Sequence, residues 1–142
     1  MAFTFNADLG SKSPLDPFAA KDVTAQVTDA VWKFKDGSPN SILVNFKALD
    51  GEFEGRLFNN WFYLTEASRP FVEQFLHASG FDGNVELPTP VADAKIEKFI
   101  GRKLVVDTSI KKESEYQGKK KDAQTKVDRY KRGVTVSADD LM

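Results

Sequence analysis

Residues 102–132 hold eleven lysines and arginines against five acids, with Tyr116 and Tyr130 among them. Ammonium and guanidinium groups at this density can neutralise a row of phosphates, and flat rings set between them can stack unpaired bases. The chemistry favoured is noncovalent capture of a polyanion with flat faces, which points to nucleic acid. The phosphate contacts would be Lys111, Lys112, Lys119, Lys120, Lys121, Lys126, Arg129, Lys131 and Arg132, with Tyr116 and Tyr130 as stacking platforms. Lysine on an edge strand also deters aggregation, so simple edge protection is the alternative reading of these cations. The positive excess is larger than edge protection needs.

The rest of the chain is acidic. Residues 1–101 carry nine basic and fourteen acidic side chains, and the last ten add two acids, so a total of −1 hides a cationic arm on an anionic body. Two further groups of rings and cations stand in that body. Trp32 and Phe34, next to Lys33 and Lys35, are candidates because the two rings face away from Val27 and Val31 if the strand is regular; a bulge would instead turn Trp32 into the core. In residues 53–64, Phe53, Leu57, Trp61 and Tyr63 share one parity, and Arg56, Phe58, Phe62 and Leu64 the other. Phe58 and Phe62 are assigned to the core, Trp61 and Phe53 to the ligand side, and Arg56 to a bulge near Gly55.

Catalytic chemistry finds no support. Cysteine is absent and His77 is the single histidine, so a transition-metal site would be almost wholly carboxylate and His77 is expected to be structural or solvated. No phosphate-binding glycine loop, nucleophile elbow or zinc-binding helix motif occurs. Asp139 and Asp140 are a poor site for Mg²⁺ on a polar tail. The expectation is a protein that is not an enzyme and needs no cofactor. No basic n-region with an apolar run opens the chain, and no apolar stretch is long enough to span a bilayer, so a soluble, cytoplasmic protein is expected.

The elements that must hold these residues follow from periodicity. Residues 1–22 read as an irregular arm pinned by Phe3, Phe5 and Phe18, residues 23–132 as one domain, and 133–142 as an acidic tail. A first strand ends at the turn Asp36-Gly37-Ser38-Pro39-Asn40. Ile42, Val44, Phe46 and Ala48 alternate as a second strand. Asp50-Gly51 signals a two-residue hairpin into a third, residues 53–64. Thr65 as N-cap and Gly80 as stop bound a helix over about 66–79, with Phe71, Phe75 and Leu76 as its core stripe. A short helix is expected over 91–100, then strands over 103–113 and 124–132 around a loop at 117–121; residues 134–136 can add a little strand. Three meandering strands, a helix and a hairpin predict a mainly β fold: a five-stranded OB-like antiparallel barrel with a helix between strands 3 and 4. An open five-stranded sheet with one helix packed on it is the alternative.

The series Phe53-Glu54-Gly55-Arg56, the helix from Phe71 to Gly80, Ile100-Gly101-Arg102-Lys103 and Tyr116-Gln117-Gly118 resembles bacteriophage single-stranded-DNA-binding proteins from replication and recombination modules. The likeness covers residues 23–132. It implies an OB-type fold, sequence-independent binding of single-stranded DNA in phage replication or recombination, and a host cytoplasmic location. The end Ser137-Ala138-Asp139-Asp140-Leu141-Met142 is similar in kind to the acidic tails by which bacterial single-stranded-DNA-binding proteins recruit replication and repair enzymes. It implies a partner-binding role for Asp139, Asp140, Leu141 and Met142, although only two acids are present and Leu-Met replaces Pro-Phe at the tip. The rival from another class is a β-barrel interaction module, an adaptor or an inhibitor of a host factor, whose basic hairpin grips an acidic protein. An exposed strand edge permits a homodimer without demanding one.

Overall fold

A computed structural model describes residues 16–111, 114–116, 119–121 and 123–132, with the main chain alone at 114–116 and 119–121. The strands are β1 (Ala20–Lys35), β2 (Ser38–Ala48), β3 (Leu57–Tyr63), β4 (Lys103–Lys111), β5 (Ser114–Tyr116), β6 (Lys119–Lys121) and β7 (Gln124–Lys131). Helix α1 (Arg69–Ala78) follows β3, and a single 3₁₀ turn (Glu97–Phe99) precedes β4. Five strands form one antiparallel sheet in the order β3-β2-β1-β4-β7, and β5 pairs with β6 as a separate ribbon. The mainly β class, the meander and the helix in the third-to-fourth connection agree with the sequence. Closure does not: among the described residues no ladder joins β3 to β7, so the sheet stays open. Across that gap Asn60 Nδ2 donates to the Tyr130 hydroxyl at 2.7 Å.

β1 is the spine, paired with β4 through its first half and with β2 through its second. A register shift between Val27 and Asp29 inserts one residue and inverts the parity. Ala25 and Val27 point inward before it, and Ala30 and Trp32 after it. Trp32 is therefore only 4% exposed, and the bulged alternative holds for this strand. Among the described residues its indole Nε1 has no hydrogen-bond partner, a cost of about 1–3 kcal/mol. Trp32 cannot offer a face to a base.

The phenylalanine excess goes mostly inward. Phe18, Phe46, Phe58, Phe62, Phe75 and Phe99 are all buried. Phe75, from α1, meets Phe62 at 5.0 Å, Phe99 at 5.4 Å, Tyr130 at 5.6 Å and Phe46 at 6.0 Å between ring centroids. Pro70 is tolerated in the first helical turn, where its missing N–H costs nothing. Gly80 (φ +96°) ends the helix as expected, with the Phe81 N–H returning to the Leu76 carbonyl at 3.0 Å.

Four local expectations are corrected. Asp50-Gly51 is not a two-residue hairpin, because Leu49 donates to the Thr24 carbonyl (2.8 Å) and Asp50 accepts from the Thr24 N–H (3.2 Å). β1 thus draws the loop aside, and the pair closes only where Gly55 (φ +90°) donates to the Ala48 carbonyl at 2.8 Å. β3 accordingly starts at Leu57, not Phe53. The segment 91–100 is helical only in the 3₁₀ turn at Glu97–Phe99, since the polar backbone before it is spent on β1: Trp32 N–H to Ala94 O (3.0 Å), Asp93 N–H to Trp32 O (3.0 Å), Ile96 N–H to Ala30 O (2.8 Å). It covers the half of β1 that β4 leaves unpaired. At the front, β1 begins at Ala20, inside the expected arm, and Phe18 is core. At the far end, Lys119–Lys121 form a strand where a loop was expected, so the final hairpin runs on past β4 and β7. Phe3, Phe5 and residues 133–142 lie outside the described residues.

Candidate nucleic-acid interface

β3 sorts its rings as its alternation dictates. Phe58 and Phe62 are buried, whereas Trp61 is 43% and Tyr63 50% exposed on the opposite face. Trp61 stands in register with Leu43, and Leu43 with Val31, so an apolar row across three strands supports the indole from one side. Because β3 is an edge, the other side is open. It borders a groove of about 510 Å³ between β3 and the β4–β7 ribbon, lined by Asn59, Trp61, Tyr63, Ile110, Lys111 and Lys126 among others.

The groove therefore has rings on one wall and amines on the other. Lys111 is exposed. Lys126 Nζ lies 3.9 Å from the Asp128 carboxylate, both side chains well exposed, a pairing too weak and too wet to hold it. Arg129 is exposed and faces Asp107 across the ladder.

Other assigned residues are taken by the fold. Tyr130 is 6% exposed, its ring packed on Phe46, Phe62 and Phe75 and its backbone N–H donating to Gln74 Oε1 at 3.0 Å. Burial pushes its phenol far above the usual range, only partly opposed by the Asn60 bond. It is a core ring and not a stacking platform. Phe53 stacks on Phe18 at 4.9 Å under the Arg56 guanidinium (5.4 Å), and Arg56 donates to the Asp16 carbonyl at 3.0 Å, so both pin the entry to β1. Lys33 pairs with Asp93 at 2.9 Å. Arg132 donates to His77 O, Phe81 O and Asp82 Oδ1, fastening β7 to the end of α1. Lys35 is exposed at the first turn, away from the groove lining. The side chains of Lys112, Tyr116, Lys119, Lys120 and Lys121, and the tail Asp139, Asp140, Leu141 and Met142, lie outside the described residues.

Lys131 is also structural. It bridges Asp22 (2.6 Å) and Asp107 (3.0 Å), which raises its pKa. Asp107 is held below the ordinary carboxylate value, first by the Asp22 N–H at 2.9 Å and then, against some desolvation, by Lys131. A depressed carboxyl stabilises the fold above its unfolded pKa of about 4 and stops doing so as pH falls through the folded value. A raised ammonium contributes in full below about 10.4 and fails only as pH climbs through its folded value. The latch is thus intact at neutral pH. Asp107→Ala should cost about 1 kcal/mol at pH 7, read as a lowered urea midpoint, and the difference from wild type should shrink towards pH 3.

No protein-family model matches the chain, and no curated protein matches it. Its chemistry must be read from its own residues. Among those described, no group of three or more His, Cys, Asp or Glu could hold a metal ion, and no helix is long and apolar enough to cross a membrane.

The sequence missed three contributors. Tyr63 shares the parity of Trp61 and could have been grouped with it. Ile110 ends the alternation of β4 beyond the core and is 45% exposed at the groove. Phe71, assigned to the core, is 60% exposed. Its i,i+4 spacing to Phe75 misleads, because the buried stripe turns through Val72, Phe75, Leu76 and Ala78 and leaves Phe71 at the rim.

Proposed function

We propose that this protein is a noncatalytic binder of single-stranded DNA with little sequence preference. One observation carries the reading: Trp61 and Tyr63 open onto a groove whose far wall bears Lys111 and Lys126. An unpaired strand brings stackable faces and a phosphate row together, and this groove offers a surface for each. Duplex DNA hides its base faces and would use the amines alone. Lys119, Lys120 and Lys121 of β6 are further phosphate contacts in this proposal.

The architecture supports the reading. An open sheet with β1 bonded to both β2 and β4, a helix crossing from β3, and edges joined by the Asn60–Tyr130 bond is what a partly open OB-type barrel would have. In that reading strands 2 and 3 and the last hairpin form the binding face. The resemblance to phage single-stranded-DNA-binding proteins adds a replication or recombination setting in the host cytoplasm, with the acidic tail recruiting protein partners.

The test is the salt slope. Lys111→Ala with Lys126→Ala should weaken binding to dT oligomers uniformly across sequences and flatten the log K against log salt line by about 1.4, or 0.7 per phosphate contact on a single strand. Unchanged affinity and slope would remove the ribbon from the site. Competition among single strand, duplex and RNA by the wild type ranks the ligands, and capture of an acidic protein in place of any oligonucleotide would favour the interaction-module rival.

A further inference from the structure

The groove does not stop at Trp61. A second depression of about 320 Å³ adjoins it, lined by Asn60, Trp61, Phe71, Gln74, Lys126 and Asp128 among others. Three residues, Asn60, Trp61 and Lys126, line both. The second depression differs in charge. Among the described residues its one cation is Lys126, and beside it stands the Asp128 carboxylate, which accepts from Ser109 Oγ at 3.0 Å and lies 3.9 Å from Lys126 Nζ. Arg69, in the same helical turn as Phe71, is paired with Glu66 and Glu73. Past Lys126, beside the Asp128 carboxylate, a phosphate gains nothing. A nucleobase does: an exposed phenyl face, the Gln74 amide with its Oε1 already fixed by the Tyr130 N–H, and a carboxylate able to accept from a base N–H.

Resting on the single-strand reading above, we infer that Phe71 is a second stacking platform, so that one strand runs from the β3–ribbon groove onto the start of α1. A base on Trp61 and the next on Phe71 are joined by a phosphate at the rim the two depressions share, where the Lys126 ammonium pairs with it. The site thereby takes an oligonucleotide of more than one base, and the helix is part of the binding surface as well as the core.

Phe71→Ala tests this against dT12 in full-length protein, read by the anisotropy of fluorescein-labelled dT12 so that the Trp61 variants are measured on the same scale. Affinity should fall about tenfold, the scale of one lost stack. Phe71→Tyr should retain it, and Phe71→Leu, which keeps apolar bulk without a flat face, should lose it. Phe71 is 60% exposed, so the urea midpoint of these variants should match wild type and folding does not confound the result. In a Trp61→Phe background, Phe71→Trp should show its own quenching on adding dT12. If Trp61→Ala weakens binding while Phe71→Ala does not, or if Phe71→Leu binds as well as wild type, the second platform is overturned and the first groove stands. If neither Trp61→Ala nor Phe71→Ala has an effect, the single-strand reading itself falls.

Discussion

Trp61→Ala should lower the affinity for dT oligomers by about 5- to 150-fold, the equivalent of losing one base stack worth about 1–3 kcal/mol. The expectation rests on placement. The indole is 43% exposed, stands in register with Leu43 on the neighbouring strand, and opens on a groove with amines opposite. A stacked ring gains most when it is already held, since no rotamer freedom is then lost on binding. The salt slope should stay put, because a neutral ring displaces no counterion, and this separates the variant from Lys111→Ala with Lys126→Ala. Trp61→Phe should recover part of the loss. Direct titration of dT12 against both variants checks the pair, and wild-type affinity in Trp61→Ala would take base stacking out of this groove. The two tryptophans divide the spectroscopy: Trp61 should report the ligand, and buried Trp32 the integrity of the core.

The largest effect on stability belongs to Phe75. Its ring meets four others from three strands and the 3₁₀ turn, and it is 1% exposed. Phe75→Ala removes the buried area and leaves a hole that rigid neighbours such as Phe46 and Tyr130 fill poorly, which should cost about 3–5 kcal/mol. Domains of this size hold only about 5–15 kcal/mol in total, so the variant should sit near the edge of unfolding at 37 °C. A chemical denaturation curve followed at Trp32 measures it. A midpoint close to wild type would mean that α1 is not the lid on this core. Phe75→Leu, which keeps most of the volume, should lose much less.

The sequence revealed the fold where side-chain alternation met no competing backbone interaction. Ile42, Val44, Phe46 and Ala48 alternate cleanly, and β2 lies where they put it, each of them buried. Two of the failures share a cause, long-range hydrogen bonds that no local pattern announces. Thr24 captures Leu49 and Asp50 and dissolves the expected hairpin, and Ala30 and Trp32 capture 93–96 and prevent a helix. The bulge after Val27 was one of two registers the composition allowed, and it alone decides the side on which Trp32 falls. For the site, residue type pointed to the ribbon and to Trp61 on β3, but could not separate cations that face solvent from those the protein spends on itself. Lys131 and Arg132 belong to the second kind, because Asp22, Asp107 and Asp82 lie far away in the chain and close in space. Tyr130 had the same ambiguity. It looked like a ring among charges, and became core because the β4–β7 register turns it under Asn60.

The double pairing of β1 has a consequence for biogenesis. Its second half can zip with β2 at once, through a turn of two residues. Its first half must wait for partners such as Thr108, which lies 88 residues downstream of Ala20. At ribosomal speeds of about 5–20 residues per second, that delay is about 4–18 s. For that interval a nascent chain carries a naked strand margin, and the same stretch that later unites the two halves is the one most open to a wrong partner.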